Sequence, residues 1–570
     1  MNALPQSELD QWLPKLVLCL RQYSWRIFSA DVIAGLTVGL VALPLAMAFG
    51  IASGVTPQAG IYTAVVAGFI ISALGGSRTQ IGGPTGAFVV IVAGIVTKFG
   101  LSGLLMVTMM AGVLLVLMGV TGLGTAVKFI PRPVTIGFTN GIAVLIASTQ
   151  IRDFLGLTTG AIPSQFAPRM ELLWANLNTV DPRTALVGGA SLAILLFWPM
   201  LTKRVPGSIV ALFAGTAAVM LFHLPIDTIG SKFGGIPTGL PAIHIPPFRA
   251  DLILPLLPSA LTVALLAALE SLLSAVVADS MSSDKHNSNV ELIAQGVANL
   301  VSPLVGGIPA TGAIARTATN IRSGAKTPVA GIVHALTLAL ILLIAAPLAK
   351  FIPLATLAAV LFLVAYNMGE WGEIGTILTL SRADIAVWAA TFALTVLADL
   401  TMAVEVGMAL AALLYIYRIS KTTTVAIVTP EYIEAGRAHN LQDKEVPPYV
   451  TIVRIHGPFL FGTTDKLAEE IGDLKALAQV VILRVRNMTA IDATGLHALQ
   501  IFADQLRKTG RTLLLCGARE QPAFMLQQPE FVRRIGKENI LPHVQAALER
   551  AKLQCGNVPH DRAVETSPAS

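Results

Sequence analysis

Two short segments of this 570-residue chain carry residue types that suit the binding of an anion. They are Gly83-Pro84-Thr85-Gly86-Ala87 and Pro309-Ala310-Thr311-Gly312-Ala313, and each interrupts a hydrophobic stretch. A chain break at membrane depth must line a cavity or be buried in protein, because lipid cannot pair the exposed backbone groups. Each break also begins a new half-helix, whose N-terminus carries about half a positive charge and free N–H donors. Two such ends directed at one point predict an anion site.

The residues around the two breaks are the candidate substrate-binding residues. Small residues let a ligand approach the backbone closely, and threonine hydroxyls can donate a hydrogen bond to an anion. The alternative is that Gly and Pro only permit close helix packing, as they often do in membrane helices. The occurrence of a matched pair favours the substrate site, although an aromatic such as Phe88 more often serves packing. The candidates are Gln80, Gly83, Thr85, Gly86, Ala87, Phe88, Thr311, Gly312 and Ala313.

Arg316 adds a permanent positive charge about one turn inside the second half-helix. An arginine at membrane depth costs at least about 2.5–3.5 kcal/mol, so it usually faces a partner or a wet cavity. Its guanidinium stays charged and can balance an anion directly. The alternative is an interfacial arginine that, with Arg322 and Lys326, extends to the lipid headgroups. We therefore add Arg316 to the substrate-binding candidates.

Glu270 is an isolated carboxylate within a hydrophobic span, and Ser274 lies four residues on, on the same helical face. A carboxylate in such surroundings suits a group that gains and loses a proton during transport. The alternative is a structural carboxylate that pairs permanently with Arg316 or accepts from backbone N–H groups. Glu270 and Ser274 are the candidate proton-coupling residues.

The composition is that of a multi-pass membrane protein. Hydrophobic residues make up 54% of the chain and charged residues 13%, whereas soluble domains average about 25% charged. The chain contains about fourteen apolar stretches, some of them short, as half-helices would be. Lys and Arg cluster at the ends of these stretches, which by the positive-inside rule predicts cytoplasmic N- and C-termini. The net charge of +6 therefore gives no argument for a nucleic-acid partner.

The sequence contains no motif that is typical of an enzyme active site. It contains no nucleotide-binding loop, no paired metal ligands and no nucleophile with a base beside it. We therefore predict no catalytic residue, no metal and no cofactor. The three cysteines, Cys19, Cys516 and Cys555, follow no disulfide or metal spacing, which indicates a reducing compartment.

From about Thr422 the pattern changes to alternating strands and helices, which predicts a small α/β domain. The predicted strands are Tyr449–Ile455, Val480–Val485 and Arg511–Cys516, and the predicted helices are Asp465–Leu477, Thr494–Lys508 and Leu541–Ala551. The predicted organisation is an N-terminal cytoplasmic segment (1–26), a transmembrane domain (27–421), a linker (422–445), the α/β domain (446–553) and a disordered tail (554–570).

Three motifs resemble the SulP family of anion transporters. The span that begins at Asp31 and contains Pro44 resembles that family's first helix, and the two breaks match its two half-helices. The segment Ile491-Asp492-Ala493-Thr494-Gly495-Leu496 resembles the loop-to-helix motif of the STAS domain. The resemblance covers roughly residues 25–550. It implies an all-α polytopic membrane domain of about fourteen transmembrane segments, arranged as two inverted seven-segment repeats in core and gate bundles, plus a C-terminal α/β STAS domain.

The resemblance also implies roles for particular residues. It places Arg316 at a position that lines the anion pocket, and Glu270 at an acidic position associated with cation coupling. Members thought to use sodium carry Asp there, so Glu favours proton coupling. Soluble STAS proteins carry a phosphorylated serine where this chain has Ala493, which favours an interaction, assembly or trafficking module; Thr494 is expected to cap the following helix. Homodimers and an elevator-type cycle are implied as well.

The predicted function is secondary active transport of a small anion across the cell (inner) membrane, with H⁺ as the coupling ion. The first candidate substrate is sulfate, and bicarbonate or a dicarboxylate such as fumarate are the alternatives. The predicted partners are the lipid bilayer, a second copy of the chain and cytoplasmic proteins that bind the STAS domain. The alternatives are a sodium-coupled bicarbonate transporter, a passive anion channel and a non-transporting sensor that signals through its STAS domain.

Overall fold

The computed structural model describes residues 12–124, 131–160, 162–163, 165–202, 205–236, 239, 242–246, 249–398, 400–428 and 446–555. The chain divides into two compact units, Met1–Ala411 and Ala412–Ser570. Most of the predicted linker and nearly all of the predicted disordered tail lie outside the described residues.

The first unit is almost entirely helical. Its α-helices are α1 (Lys15–Leu20), α2 (Trp25–Ala52), α3 (Pro57–Leu74), α4 (Gly86–Val120), α5 (Arg132–Leu155), α6 (Phe166–Ala175), α7 (Pro182–Leu201), α8 (Gly207–Phe222), α9 (Ile229–Phe233), α10 (Ile253–Ser282), α11 (Ser288–Val301), α12 (Ile314–Arg322), α13 (Val329–Ala349), α14 (Leu354–Met368), α15 (Gly372–Leu378), α16 (Arg382–Leu397) and α17 (Leu400–Thr422), which extends into the second unit. Two short strands, β1 (Gly82–Gly83) and β2 (Thr311–Gly312), precede α4 and α12.

Eight helices within the described residues are long and apolar enough to cross a membrane. One of them, α4, combines two helices that meet at Gly100, whose φ of 71° is not helical. It therefore accounts for two of the apolar stretches that the sequence contains, one on each side of Gly100. The count of about fourteen transmembrane segments stays a prediction.

The helices of the first unit pack as two groups. Helices α2, α3 and α4 pack against α10, α11, α12 and α13, whereas α5 and α7 pack against α14, and α5 also against α16. In the first group, α11 crosses α4 at a pair of glycines: a Cβ on Gly296 would lie 2.7 Å from the Gly112 carbonyl oxygen. The two backbones are thus in direct contact, which is the small-residue packing typical of membrane helices.

A buried carboxylate ties the start of α2 to the connection between α12 and α13. Asp31 is 0% exposed and accepts hydrogen bonds from the backbone N–H groups of Lys326 (2.7 Å) and Thr327 (3.0 Å). The Thr327 hydroxyl also donates to it. Charge-assisted bonds of this kind are stronger than neutral ones, so Asp31 joins two regions that are far apart in sequence.

The second unit contains a five-stranded sheet in the order β3–β4–β5–β6–β7, with β3 antiparallel to β4 and the other neighbours parallel. The strands are β3 (Thr424–Ile427), β4 (Val450–Phe459), β5 (Val480–Ile491), β6 (Thr512–Cys516) and β7 (Ile540–Leu541). Helices Asp465–Ile471, Ala493–Lys508, Glu520–Leu526, Pro529–Ile535 and Val544–Cys555 accompany it. Residues alternate along β5: Leu483 joins one apolar core and Ile482 the other, so both faces of the sheet are covered.

The structure corrects several element boundaries in this unit. Strand β3 lies in the segment predicted as a linker, where a single run of four residues gives little periodicity. The helix predicted from Leu541 begins at Val544, because Ile540 and Leu541 pair with β6 instead. Asp492, rather than Thr494, caps the helix that starts at Ala493, since its carboxylate accepts from the Gly495 N–H at 2.7 Å.

The glycine contact between α4 and α11 can be tested by substitution. Gly296→Ala should lower the melting temperature of the protein in detergent, since a Cβ forced against the Gly112 carbonyl separates the helices and costs about 1–3 kcal/mol. Gly94→Ala is the matched control, because no atom of the described residues lies within 4 Å of a Cβ there. Equal melting temperatures for the two variants would contradict the contact.

Candidate functional site

The two breaks in the sequence meet in space. Strand β1 pairs antiparallel with β2, so that Gly82 faces Gly312 and Gly83 faces Thr311. The Ala313 N–H extends this pairing with a hydrogen bond of 2.8 Å to the Ile81 carbonyl. Each break therefore supplies the backbone partners that the other lacks, and we call this element the crossing (residues 81–83 and 311–313).

Both half-helices start at the crossing. Helix α4 begins at Gly86 and α12 at Ile314, each within three residues of its strand. The first N–H groups of a helix have no acceptor within it. The crossing thus brings two helix N-termini, with their partial positive charges, to one place.

Arg316 is buried beside the crossing rather than on the protein surface. Its side chain is 3% exposed, and its Nη2 donates to the Pro84 carbonyl oxygen. Its Nη1 lies against Gly83, where a Cβ would be 2.8 Å away. Gly83 has a φ of 147°, so both the backbone and the space require glycine at this position. Within the described residues, Nη1 has no hydrogen-bond partner.

Glu270 contacts the first break through a hydroxyl. Thr85 Oγ1 donates to Glu270 Oε2 at 2.7 Å. The glutamate as a whole is of intermediate exposure. The charge of Arg316 acts on Glu270 electrostatically, but the guanidinium hydrogen bond goes to Pro84 instead. The geometry thus gives no support to the alternative in which the two side chains form a permanent pair.

Helix α10 holds the crossing through two serines. Ser271 Oγ lies 2.7 Å from Thr311 Oγ1 and accepts from the Gly312 N–H at 3.0 Å. Ser274, predicted as a proton-coupling residue, bonds to Thr317 Oγ1 at 3.1 Å. This threonine also accepts from the Ile81 N–H. The hydrogen bonds of Ser274 therefore join it to the scaffold of the crossing rather than to Glu270.

Of the remaining candidates, Gln80 has polar surroundings, whereas Ala87 and Phe88 have apolar ones. Gln80 lies at the crossing, with its Nε2 donating to the Ser271 carbonyl at 3.1 Å. Ala87 and Phe88 are 0% and 1% exposed and belong to the main apolar core. Phe88 therefore packs in the apolar interior, and its assignment to the substrate site stays a prediction.

Sequence reasoning missed a set of polar residues on α11 that bond the segments leading to the two breaks. Asn299 accepts from the Ala310 N–H and donates to the Ala310 carbonyl, both at 2.8 Å. Glu291, which is 0% exposed, accepts from the Gly76 N–H (2.9 Å) and from Gln295 Nε2 (2.8 Å). Glu291, Gln295 and Asn299 recur every four residues, so a polar stripe on an otherwise apolar helix was the available signal.

Other features of the described residues do not compete with the crossing. No group of three or more His, Cys, Asp or Glu among them could hold a metal ion. A cavity of about 720 Å³ is lined by α5, α6, α7 and α14, and another of about 410 Å³ by residues such as Met47, Ile61 and Phe213. Both are almost entirely apolar, which suits hydrocarbon rather than an anion.

Comparison with known proteins identifies the family. The sulfate permease family matches residues 28–391, and the STAS domain matches residues 442–547. The chain belongs to the sulfate permease family. It is 43% identical over 523 residues to the putative sulfate transporter YvdB of Bacillus subtilis, covering 91% of this chain and 97% of that one. It is 31% identical over 566 residues to the bicarbonate transporter BicA of Picosynechococcus, covering 96% and 98%.

A solved structure supports the fold. The murine Solute Carrier 26 family member A9 anion transporter, in the inward-facing state, aligns with a TM-score of 0.84 at 17% identity over 97% of this chain and 96% of its own. The polytopic helical fold with a C-terminal STAS domain is thereby confirmed. The family match and the named relatives confirm the prediction that the protein is a transporter and not an enzyme.

The bond between Thr85 and Glu270 gives a test of the site. Thr85→Val should lower the transport rate by about tenfold or more, because a hydrogen bond to a charged group contributes about 1.5–3 kcal/mol. Thr85→Ser keeps the hydroxyl and should retain most of the rate. Uptake of a radiolabelled anion into proteoliposomes, at equal amounts of reconstituted protein, measures both. A valine variant as active as the serine variant would argue against a role for this bond.

Proposed function

We propose that the protein is a secondary active transporter that carries a small dianion, with sulfate as the first choice, together with a proton. The observation that carries the proposal is the convergence of two helix N-termini, Arg316 and Glu270 at one crossing. A site of this kind offers both an attraction for an anion and one group that a proton can neutralise.

The balance of charge favours a dianion with a proton. Two helix N-termini and one guanidinium together provide about two positive charges. When Glu270 is protonated, a dianion such as sulfate or fumarate neutralises this charge. When Glu270 is ionised, it already offsets one of these charges and repels the dianion. Protonation of Glu270 would therefore accompany binding, and loss of the proton would promote release.

The transport step would move the crossing as one body. The helices that hold it, α2 to α4 and α10 to α13, pack mainly with one another. An elevator-type motion of this group against α5, α7, α14 and α16 would carry the bound anion across the membrane. The hydrogen bonds that join both halves of the chain at the crossing would keep the site intact during that motion.

Bicarbonate transport coupled to sodium is the second candidate. One relative at 31% identity is named as a bicarbonate transporter. A monoanion would balance the two positive charges only when Glu270 is ionised, so bicarbonate would not bring a proton to this residue. Proton-coupled sulfate uptake thus requires a protonated Glu270 when the anion is bound, whereas sodium-coupled bicarbonate uptake requires an ionised Glu270.

The orientation and assembly that we propose follow from charge and from the family. Lys15, Arg21 and Arg26 flank the start of α2, which favours a cytoplasmic N-terminus in the cell (inner) membrane. The number of membrane spans decides on which side the STAS domain lies. We propose an even number of spans, so that the STAS domain lies on the cytoplasmic side, as the N-terminus does. We further propose a homodimer whose STAS domains bind cytoplasmic proteins.

Glu270→Gln tests the coupling. Wild-type protein in proteoliposomes should accumulate sulfate when the outside is acidic, whereas a sodium gradient should have no effect. The glutamine variant mimics the protonated carboxylate, so it should still bind sulfate but lose accumulation driven by the pH gradient. Uptake of sulfate, fumarate and bicarbonate, each with a pH or a sodium gradient, is the measurement. Undiminished proton-driven uptake by the variant would remove Glu270 from the mechanism, and sodium-driven bicarbonate uptake would favour the second candidate.

Arg316→Ala tests the anion site itself. Removing the guanidinium should lower uptake by about a hundredfold or more, since leaving the bound anion without the buried charge that it pairs with costs about 2–5 kcal/mol. Arg322→Ala on the same helix is the matched control, because Arg322 is exposed and should tolerate the change. Melting temperatures in detergent verify that both variants fold. Wild-type uptake by the Arg316 variant would refute the assignment.

A further inference from the structure

Within the described residues, three buried polar side chains near the crossing each have an atom that lacks a protein partner. His334 on α13 is 0% exposed, and in the described part of the chain the backbone of Gly331 can bond one of its ring nitrogens, whereas the other has no hydrogen-bond partner. Ser72 Oγ on α3 and Arg316 Nη1 likewise have no hydrogen-bond partner there. Leaving a buried polar group unpaired costs about 1–3 kcal/mol, so three together in an apolar surrounding require an explanation.

The three groups follow one face of α3. Ala64, Gly68 and Ser72 recur every four residues and therefore share that face. The point where a Cβ on Gly83 would lie is 2.8 Å from Arg316 Nη1 and 3.4 Å from the Ala64 Cα. This places the unpaired nitrogen next to the first of the three positions.

The next two positions carry the other groups. A Cβ on Gly68 would lie 3.8 Å from the His334 ring and 3.0 Å from the carbonyl oxygen of Gly82 in the crossing. Ser72 Oγ lies against Gly331, one turn before His334 on α13. Gly68 thus places no side-chain atom between His334 and the backbone of the crossing.

The spacing of these three positions along α3 suits a row of hydrogen-bonded water molecules. Successive positions on this face are four residues apart, about 6 Å along the helix axis, which is close to two hydrogen bonds of about 2.8 Å in line. A buried water molecule typically has two to four polar partners. The guanidinium N–H group, the free imidazole nitrogen, the serine hydroxyl and the Gly82 carbonyl supply both donors and acceptors for it.

We propose that water occupies this face of α3, and that His334 is a positioning residue that orients Arg316 through it. Pro84 holds Nη2 of the guanidinium, and the water held by His334 holds Nη1. The guanidinium is then fixed on two sides, with its charge directed at the anion. The positioning role rests on the proposed anion site, whereas the water does not.

Footprinting with X-ray-generated hydroxyl radicals tests the water on the wild-type protein, because such radicals oxidise buried side chains that contact bound water. His334 and Met47 are both 0% exposed, and methionine is the more reactive side chain. We expect His334 to be oxidised at least about fivefold faster than Met47, which lies in the apolar core. Protection of His334 equal to that of Met47 would overturn the water site. This result does not depend on any transport activity.

Substitution of His334 tests its positioning role. His334→Leu should raise the KM for sulfate by about tenfold, because one support of Arg316 is lost, while kcat changes less than about threefold. His334→Gln can still bond to water and should stay within about threefold of the wild-type KM. Equal loss in both variants, or none in either, would overturn the role. If wild-type protein transports no anion while His334 is oxidised, the proposed function and the positioning role fail and the water site stands.

Discussion

The structure depends on the pairing of backbone groups where two helices are broken inside an apolar interior. Each break would leave several N–H and C=O groups unpaired, and each such group is costly there. The two breaks satisfy one another through β1 and β2. Side chains complete the pairing: Asn299 bonds both backbone groups of Ala310, and Ser271 accepts from Gly312. The crossing can therefore exist only where two distant parts of the chain meet.

The same pairing places the charges. Arg316 and Glu270 both come from the second half of the first unit, yet each bonds to the first break, at Pro84 and Thr85. Neither charge can leave the site without breaking a hydrogen bond to the other half. A group of helices that moves as a body would thus carry the helix N-termini, the guanidinium and the carboxylate together. This constraint connects the fold to the proposed coupling of anion and proton.

The sequence predicted those parts of the site that single residue types indicate, namely the two breaks and the two charges. Gly and Pro mark a break, and a lone Arg316 or Glu270 in an apolar span is conspicuous. The pairing of β1 with β2 could not be predicted, because strands of two residues have no periodicity. The spacing of four residues indicates that Ser274 and Glu270 share a face of α10. It could not indicate that Ser274 bonds to Thr317 of another helix. Partners from separate helices depend on packing that no local pattern contains.

The central claim is that Glu270 takes up a proton as the anion binds at the crossing. The most direct measurement is the number of protons absorbed per sulfate bound, followed with a pH-indicator dye in weakly buffered detergent solution near neutral pH. The account predicts uptake of up to about one proton per sulfate by the wild-type protein, and none by the Glu270→Gln variant at the same occupancy. Sulfate binding without proton uptake in the wild type, or with the same uptake in both proteins, would contradict it.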